Sequence, residues 1–183
     1  MNAISSFFSK YKYSEYLLGL LRIFYGFEFL FAFFDKLLGI YSVDPQFSYL
    51  AGSSPTQFYL TNITNPSSPF SFIFSGENSL LVQFLPLVDI TYMGMLLIGG
   101  ITLLTGIGVR LGATSTAIFF FSVWLASFPP ANNPLLEAHF LQMWILIFFA
   151  VTNSGFWLGL GERWINYLSR FDFLPEKVRF LMQ

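Results

Sequence analysis

Four apolar runs constrain this chain more than any other feature. Each approaches the roughly 20 residues that an α-helix needs to cross the hydrocarbon of a bilayer. They run from about Glu15 to Leu38, Leu85 to Gly108, Leu111 to Phe128 and Pro134 to Leu158. Only 10% of the residues are charged and 55% are hydrophobic, whereas soluble domains carry about 25% charged residues. The expected fold class is an all-α integral membrane protein. It is a single domain over residues 1–183, built as a four-transmembrane-helix bundle. The apolar run that follows Lys10 and Lys12 is too long for a signal peptide, and Arg22 and Glu28 interrupt it.

Helix punctuation supports these limits. Pro86 and Pro134 suit first-turn positions, and Asn133 suits an N-cap. Pro129–Pro130 stops the third run, and Gly106, Gly108 and Gly112 mark a tight turn between the second and third. The connection from about 40 to 84 is rich in Ser, Pro, Asn and Thr. A loop of that length is more often functional than passive.

Basic residues set the expected orientation. Lys10, Lys12, Arg110, Arg163, Arg170, Lys177 and Arg179 all fall on one side of the predicted bundle. The long loop and the FPPANNP turn carry no Lys or Arg. Both termini are therefore expected inside and the long loop outside, in a plasma membrane. Tyr11, Tyr13, Tyr16, Trp164 and Tyr167 fit an aromatic belt at the inner interface. The many phenylalanines read first as packing and lipid contact. Asn62-Ile-Thr64 is a glycosylation tripeptide or a chance match.

Several chemistries are excluded or disfavoured. The chain has no cysteine and one histidine, His139. Thiolate sites, iron–sulfur clusters and a bis-His haem are ruled out within it. No dinucleotide or P-loop fingerprint occurs, so no haem, flavin or metal is expected. No nucleic-acid partner is expected either.

The charges inside the first run need a reason, because an ionised group at mid-bilayer costs at least about 2.5–3.5 kcal/mol. At 1.5 Å per residue, Arg22 lies about 10 Å inside the inner interface and Glu28 near the middle. Asp35 and Lys36 approach the outer interface. Glu28 and Asp35 are seven residues apart, about 20° out of register on one face. Arg22, Phe29 and Lys36 form the adjoining stripe. Arg22 either snorkels or pairs with a carboxylate. Lys36 either snorkels outward or pairs with Asp35. Asp89, Glu137, His139 and Gln142 add polar groups to the outer half. His139 and Gln142 share a helix face, and Glu137 lies off it.

The pattern Arg22, Gly26, Lys36-Leu37 in LLRIFYGFEFLFAFFDKLLG, with the glycine-rich TNSGFWLGLGERW, resembles the DoxX/DoxD family. The long loop and the chain length resemble its larger DoxD branch, the membrane subunit of archaeal thiosulfate:quinone oxidoreductases. Where the family often has a glycine before the lysine, this chain has AFFD. The resemblance implies coupling of two thiosulfates to tetrathionate with reduction of a caldariella-type membrane quinone. It also implies a DoxA-like second subunit and a terminal oxidase downstream. On that reading Glu28, His139, Asp35 and Asp89 are the catalytic candidates. Lys36, Arg22 and Glu137 would bind thiosulfate, while Gln142, His139 and Arg22 would bind quinone. The competing expectations are a non-catalytic membrane anchor of a respiratory complex and, less well supported, a small transporter.

Overall fold

The structure is a computed structural model that describes residues 12–130, 133 and 137–170. Five principal helices occur among them: α1 (Lys12–Leu38), α2 (Leu85–Thr105), α3 (Val109–Ala126), α4 (Ala138–Val151) and α5 (Gly161–Leu168). The helices α1, α2 and α3 are each long and apolar enough to cross a membrane.

The fourth expected span, about Pro134 to Leu158, is an α-helix only over Ala138–Val151 among the described residues. α4 has 14 residues and rises about 21 Å, short of the ~30 Å hydrocarbon thickness. Its N-cap is Glu137, whose side chain accepts from the His139 N–H, and not Asn133. Pro134 lies outside the described residues. At its other end the chain leaves the helix at an extended Thr152. The residues that follow, Asn153, Ser154 and Gly155, are weak helix formers, and Gly155 is pressed against α2. A Cβ there would sit 2.4 Å from the Gly106 carbonyl oxygen. Other boundaries shift less. The first helix is described from Lys12, before Glu15. The second ends at Thr105, before Gly108, and the third covers Val109–Ala126 where Leu111–Phe128 was expected.

Neighbouring helices run antiparallel. Gly26 of α1 meets Leu104 near the end of α2, while Lys36 near the end of α1 reaches Tyr92 near the start of α2. Gly106 and Gly108, at φ 80° and 65°, turn the chain directly from α2 into α3. Phe120 and Trp124 in the second half of α3 touch His139 and Phe140 at the start of α4. Tyr25 against Phe149 and Phe29 against Phe120 join α1 to α4 and α3. The core of Phe29, Leu96, Leu103, Ala113, Leu146 and Phe149 lies between them.

Arg22 explains how α2 ends inside the protein. The last carbonyls of a helix have no partner within it. Thr102 is satisfied by the Gly106 N–H and Thr105 by the Leu160 N–H. Leu103 and Leu104 accept from the Arg22 guanidinium, which also donates to the carbonyls of Ser154, Trp157 and Leu158. Arg22 is fully buried. One cation thus stabilises a helix C-terminus, where positive charge is favoured, and fixes the irregular segment after α4. Gly26 serves the same junction, since a Cβ on it would lie 2.4 Å from the Leu104 nitrogen.

The connection from 40 to 84 is built of short helical turns at Pro45–Phe47, Tyr49–Ala51, Tyr59–Ile63, Ser71–Phe74 and Leu80–Gln83. It covers one end of the bundle. Asn65 N–H donates to the Ala126 carbonyl at 3.1 Å, and the Tyr59 hydroxyl bonds Ser127 Oγ at 3.0 Å. Asn62 is exposed in the Tyr59–Ile63 turn, with its amide donating to Phe58 O and Thr61 Oγ1.

Candidate functional site

Under this loop, between the helices, lies a cavity of about 430 Å³. Phe29 and Ala32 of α1, Tyr92 and Leu96 of α2, and Phe119 and Phe120 of α3 give it apolar and aromatic walls. Thr56, Tyr59, Leu60 and Phe74 bring the loop to it. The polar groups on its lining include Glu28 and Lys36 from α1 and His139 and Gln142 from α4. Four of the eight sequence-predicted site residues therefore meet at one cavity.

Helix geometry places them. Glu28 and Lys36 are eight residues apart on α1, just over two turns. His139 and Gln142 are three apart at the start of α4, so they share the face expected of them. Glu28 is exposed on the flank of α1. It has no hydrogen-bond or ion-pair partner among the described residues. His139 stacks on Phe120, with ring centroids 5.8 Å apart. Its Nδ1 lies 2.6 Å from Glu137 Oε1, while its backbone N–H donates to Oε2 at 2.8 Å.

Lys36 is half-buried, with its ammonium 5.9 Å from the centroid of the Tyr92 ring. It also lines an open groove of about 1360 Å³ on the loop side, together with Asp44, Phe47, Gln57 and Asp89. Lys36 therefore stands between cavity and groove. No Lys or Arg occurs between it and Arg110, or between Arg110 and Arg163. No carboxylate is within ion-pair distance of it among the described residues.

The other candidates lie elsewhere or are engaged. Arg22 is at the opposite end of α2 from Asp89, committed to backbone carbonyls. The Asp35 carboxylate, 2% exposed, does not form an ion pair with Lys36. It accepts from Tyr41 N–H at 2.7 Å, from Ser42 N–H at 3.0 Å and from Ser42 Oγ. The Asp89 carboxylate, 5% exposed, accepts from Ser54 Oγ at 2.8 Å, Thr56 N–H at 3.2 Å and Thr56 Oγ1 at 2.5 Å. Each aspartate holds a different part of the loop. Glu137 caps α4 and holds His139.

The shared stripe of Glu28 and Asp35 thus meets two environments. At Asp35 the chain folds back over the helix end, and at Glu28 the stripe opens on the cavity flank. The adjoining stripe behaves as expected, with Arg22 and Phe29 buried and Lys36 half-buried.

Sequence reasoning missed Tyr59, Thr56 and Tyr92. Burial pushes the Tyr59 phenol pKa up; the Ser127 hydrogen bond opposes this and Glu137 adds to it. Tyr59 thus remains a neutral donor and acceptor at the loop side of the cavity. Nothing local marks these residues, because the Thr56–Asp89 and Tyr59–Ser127 contacts bridge 33 and 68 positions.

No protein-family model, curated protein or solved structure matches the chain. Fold and site together define an all-helical protein whose three long apolar helices surround, with a shorter fourth, a polar-edged aromatic cavity.

Proposed function

We propose that this chain is the membrane subunit of a thiosulfate:quinone oxidoreductase and that the 430 Å³ cavity receives the quinone head group. The cavity is the observation that carries the reading. Its volume falls in the range of small-molecule sites, which are mostly apolar with a few placed polar groups. The aromatic walls suit a quinone ring, and Glu28, His139 and Gln142 suit its carbonyls. The thiosulfate half of the reading rests on the DoxX/DoxD resemblance of Arg22, Gly26 and Lys36-Leu37. A DoxA-like partner, a caldariella-type quinone, a terminal oxidase and a plasma-membrane location with both termini inside belong to the same proposal.

The reaction makes definite demands. Two thiosulfate dianions form one S–S bond and release two electrons, giving tetrathionate. The quinone takes both electrons and two protons to become quinol. Thiosulfate releases no proton, so both come from water through side chains. Glu28 and His139 are the proton-handling groups on the cavity wall. Lys36 is the cation placed to attract a dianion from the groove, with the partner subunit completing the anion site. Arg22 serves the helix junction, and Asp35 and Asp89 serve the loop that covers the cavity.

The test is to purify the chain with its natural partners, extract bound quinone, and follow thiosulfate-dependent reduction of added decylubiquinone. Glu28→Gln and His139→Phe should each lower the rate by about 10²-fold or more while the complex still assembles. Wild-type rates in both variants would remove these groups from the mechanism. They would instead favour a non-catalytic anchor, a reading suggested by the commitment of Arg22, Asp35 and Asp89 to backbone and loop contacts.

A further inference from the structure

We infer that Glu137 and His139 act as one unit. Glu137 is a positioning residue that keeps the proton on His139 Nδ1 and so presents Nε2 to whatever occupies the cavity. The identity of that occupant as a quinone rests on the function proposed above. The tautomer does not.

The geometry carries the argument. An ionised carboxylate only accepts hydrogen bonds. Glu137 uses both oxygens within this one motif. Oε2 takes the His139 backbone N–H at 2.8 Å and Oε1 lies 2.6 Å from Nδ1. With Oε1 as acceptor, Nδ1 must be the donor. The bond to one imidazole nitrogen sets the role of the other. Nε2 then keeps its lone pair, and it has no hydrogen-bond partner among the described residues. His139 lines the cavity and its ring is clamped flat on Phe120, at an interplanar angle of 29°. The Nδ1 bond to Glu137 Oε1 and the stacking contact hold the ring from two directions, while the backbone bond to Oε2 holds the carboxylate.

This arrangement gives a balanced proton step. Nε2 takes a proton from water, forming an imidazolium that the Glu137 carboxylate stabilises. As the quinone accepts two electrons from thiosulfate, Nε2 gives that proton to one quinone oxygen and the ring returns to its Nδ1–H form. The second proton reaches the other oxygen by way of Glu28. Glu137 therefore does not contact the sulfur substrate. A carboxylate is a poor partner for a dianion and a good one for an imidazolium.

His139 is the only histidine of the chain, so ring-¹⁵N labelling gives one pair of ring signals. The full chain, purified on a histidine-free tag and held in lipid nanodiscs, is compared with Glu137→Gln at a pH where the ring is neutral. The wild-type ring should be protonated at Nδ1. In the variant the amide oxygen keeps the cap to the His139 N–H, which leaves the amide NH₂ facing Nδ1. It donates there, and the tautomer should invert to Nε2–H. A wild-type ring protonated at Nε2, or a tautomer unmoved by the substitution, overturns the inference. Thiosulfate-dependent reduction of decylubiquinone provides the second readout. Its kcat should fall at least about tenfold in Glu137→Gln, with the quinone KM little changed, whereas a merely structural cap would leave kcat intact. If the tautomer inverts and the wild-type complex reduces no quinone, the quinone reading fails and the Glu137–His139 unit stands.

Discussion

Arg22 shows how an apparent anomaly in an apolar run is resolved. A guanidinium carries five donors in a fixed fork, and here they reach carbonyls of Leu103, Leu104, Ser154, Trp157 and Leu158. Backbone groups buried away from water must be paired. Arg22→Met should therefore destabilise the bundle by about 3 kcal/mol or more, because it leaves several buried carbonyls unpaired at about 1–3 kcal/mol each. Arg22→Lys should recover only part of this, since an ammonium cannot span the same fork. Denaturant titration in mixed micelles measures both. A Met variant as stable as the wild type would show that water or lipid replaces the guanidinium. The sequence marked Arg22 as special but could not name its role, because Leu103 and Ser154 lie 81 and 132 positions away.

Among the elements, the loop over residues 40–84 depends on two carboxylates outside it. Asp35 ends α1 and takes the first loop residues, while Asp89 begins α2 and takes Ser54 and Thr56. Asp89→Ala removes the acceptor for a buried N–H and two hydroxyls, worth roughly 1.5–3 kcal/mol per charged bond. Amide exchange at Ser54–Leu60 should speed by at least about tenfold in this variant while α2 and α3 stay protected. Unchanged exchange there would mean that the Ala126 and Ser127 contacts hold the loop alone. Helix α4 carries the complementary lesson. Its apolar run reads as a full span, yet the helix ends at Val151 because the next carbonyls serve Arg22 and Gly155 packs on Gly106.

For the whole molecule, two ends of unlike chemistry emerge. Arg110 stands in the first turn of α3, where it donates to Asn153 Oδ1 at 3.3 Å, and Arg163 lies in the first turn of α5. Among the described residues, Lys36 is the one Lys or Arg at the loop end. If the chain lies in a membrane as proposed, the two ends face opposite sides. The chain has no cysteine, so single-cysteine variants report without background. Glu77→Cys and Ser169→Cys, both at exposed positions, should react with an impermeant maleimide from opposite sides of sealed vesicles, the first from outside the cell. Labelling of both from one side would reject the antiparallel membrane arrangement.

The helical class, three of the four long runs and four polar residues of the cavity lining were legible in the sequence, whereas Thr56, Tyr59 and Tyr92 were not. Hydrophobic length, helix periodicity and the cost of buried charge are local properties, and they single out Glu28, Lys36, His139 and Gln142. The division of labour among the charges was decided only by tertiary structure. Asp35 and Glu28 share a stripe, and Lys36 adjoins Asp35, yet one carboxylate ties down a loop, the other borders a cavity, and the ammonium meets an aromatic ring. The buried Asp35 finds its partners six and seven positions away, whereas Arg22 finds carbonyls 81 and 132 positions away. A sequence states that each such group must be satisfied, and only the packed chain shows by what.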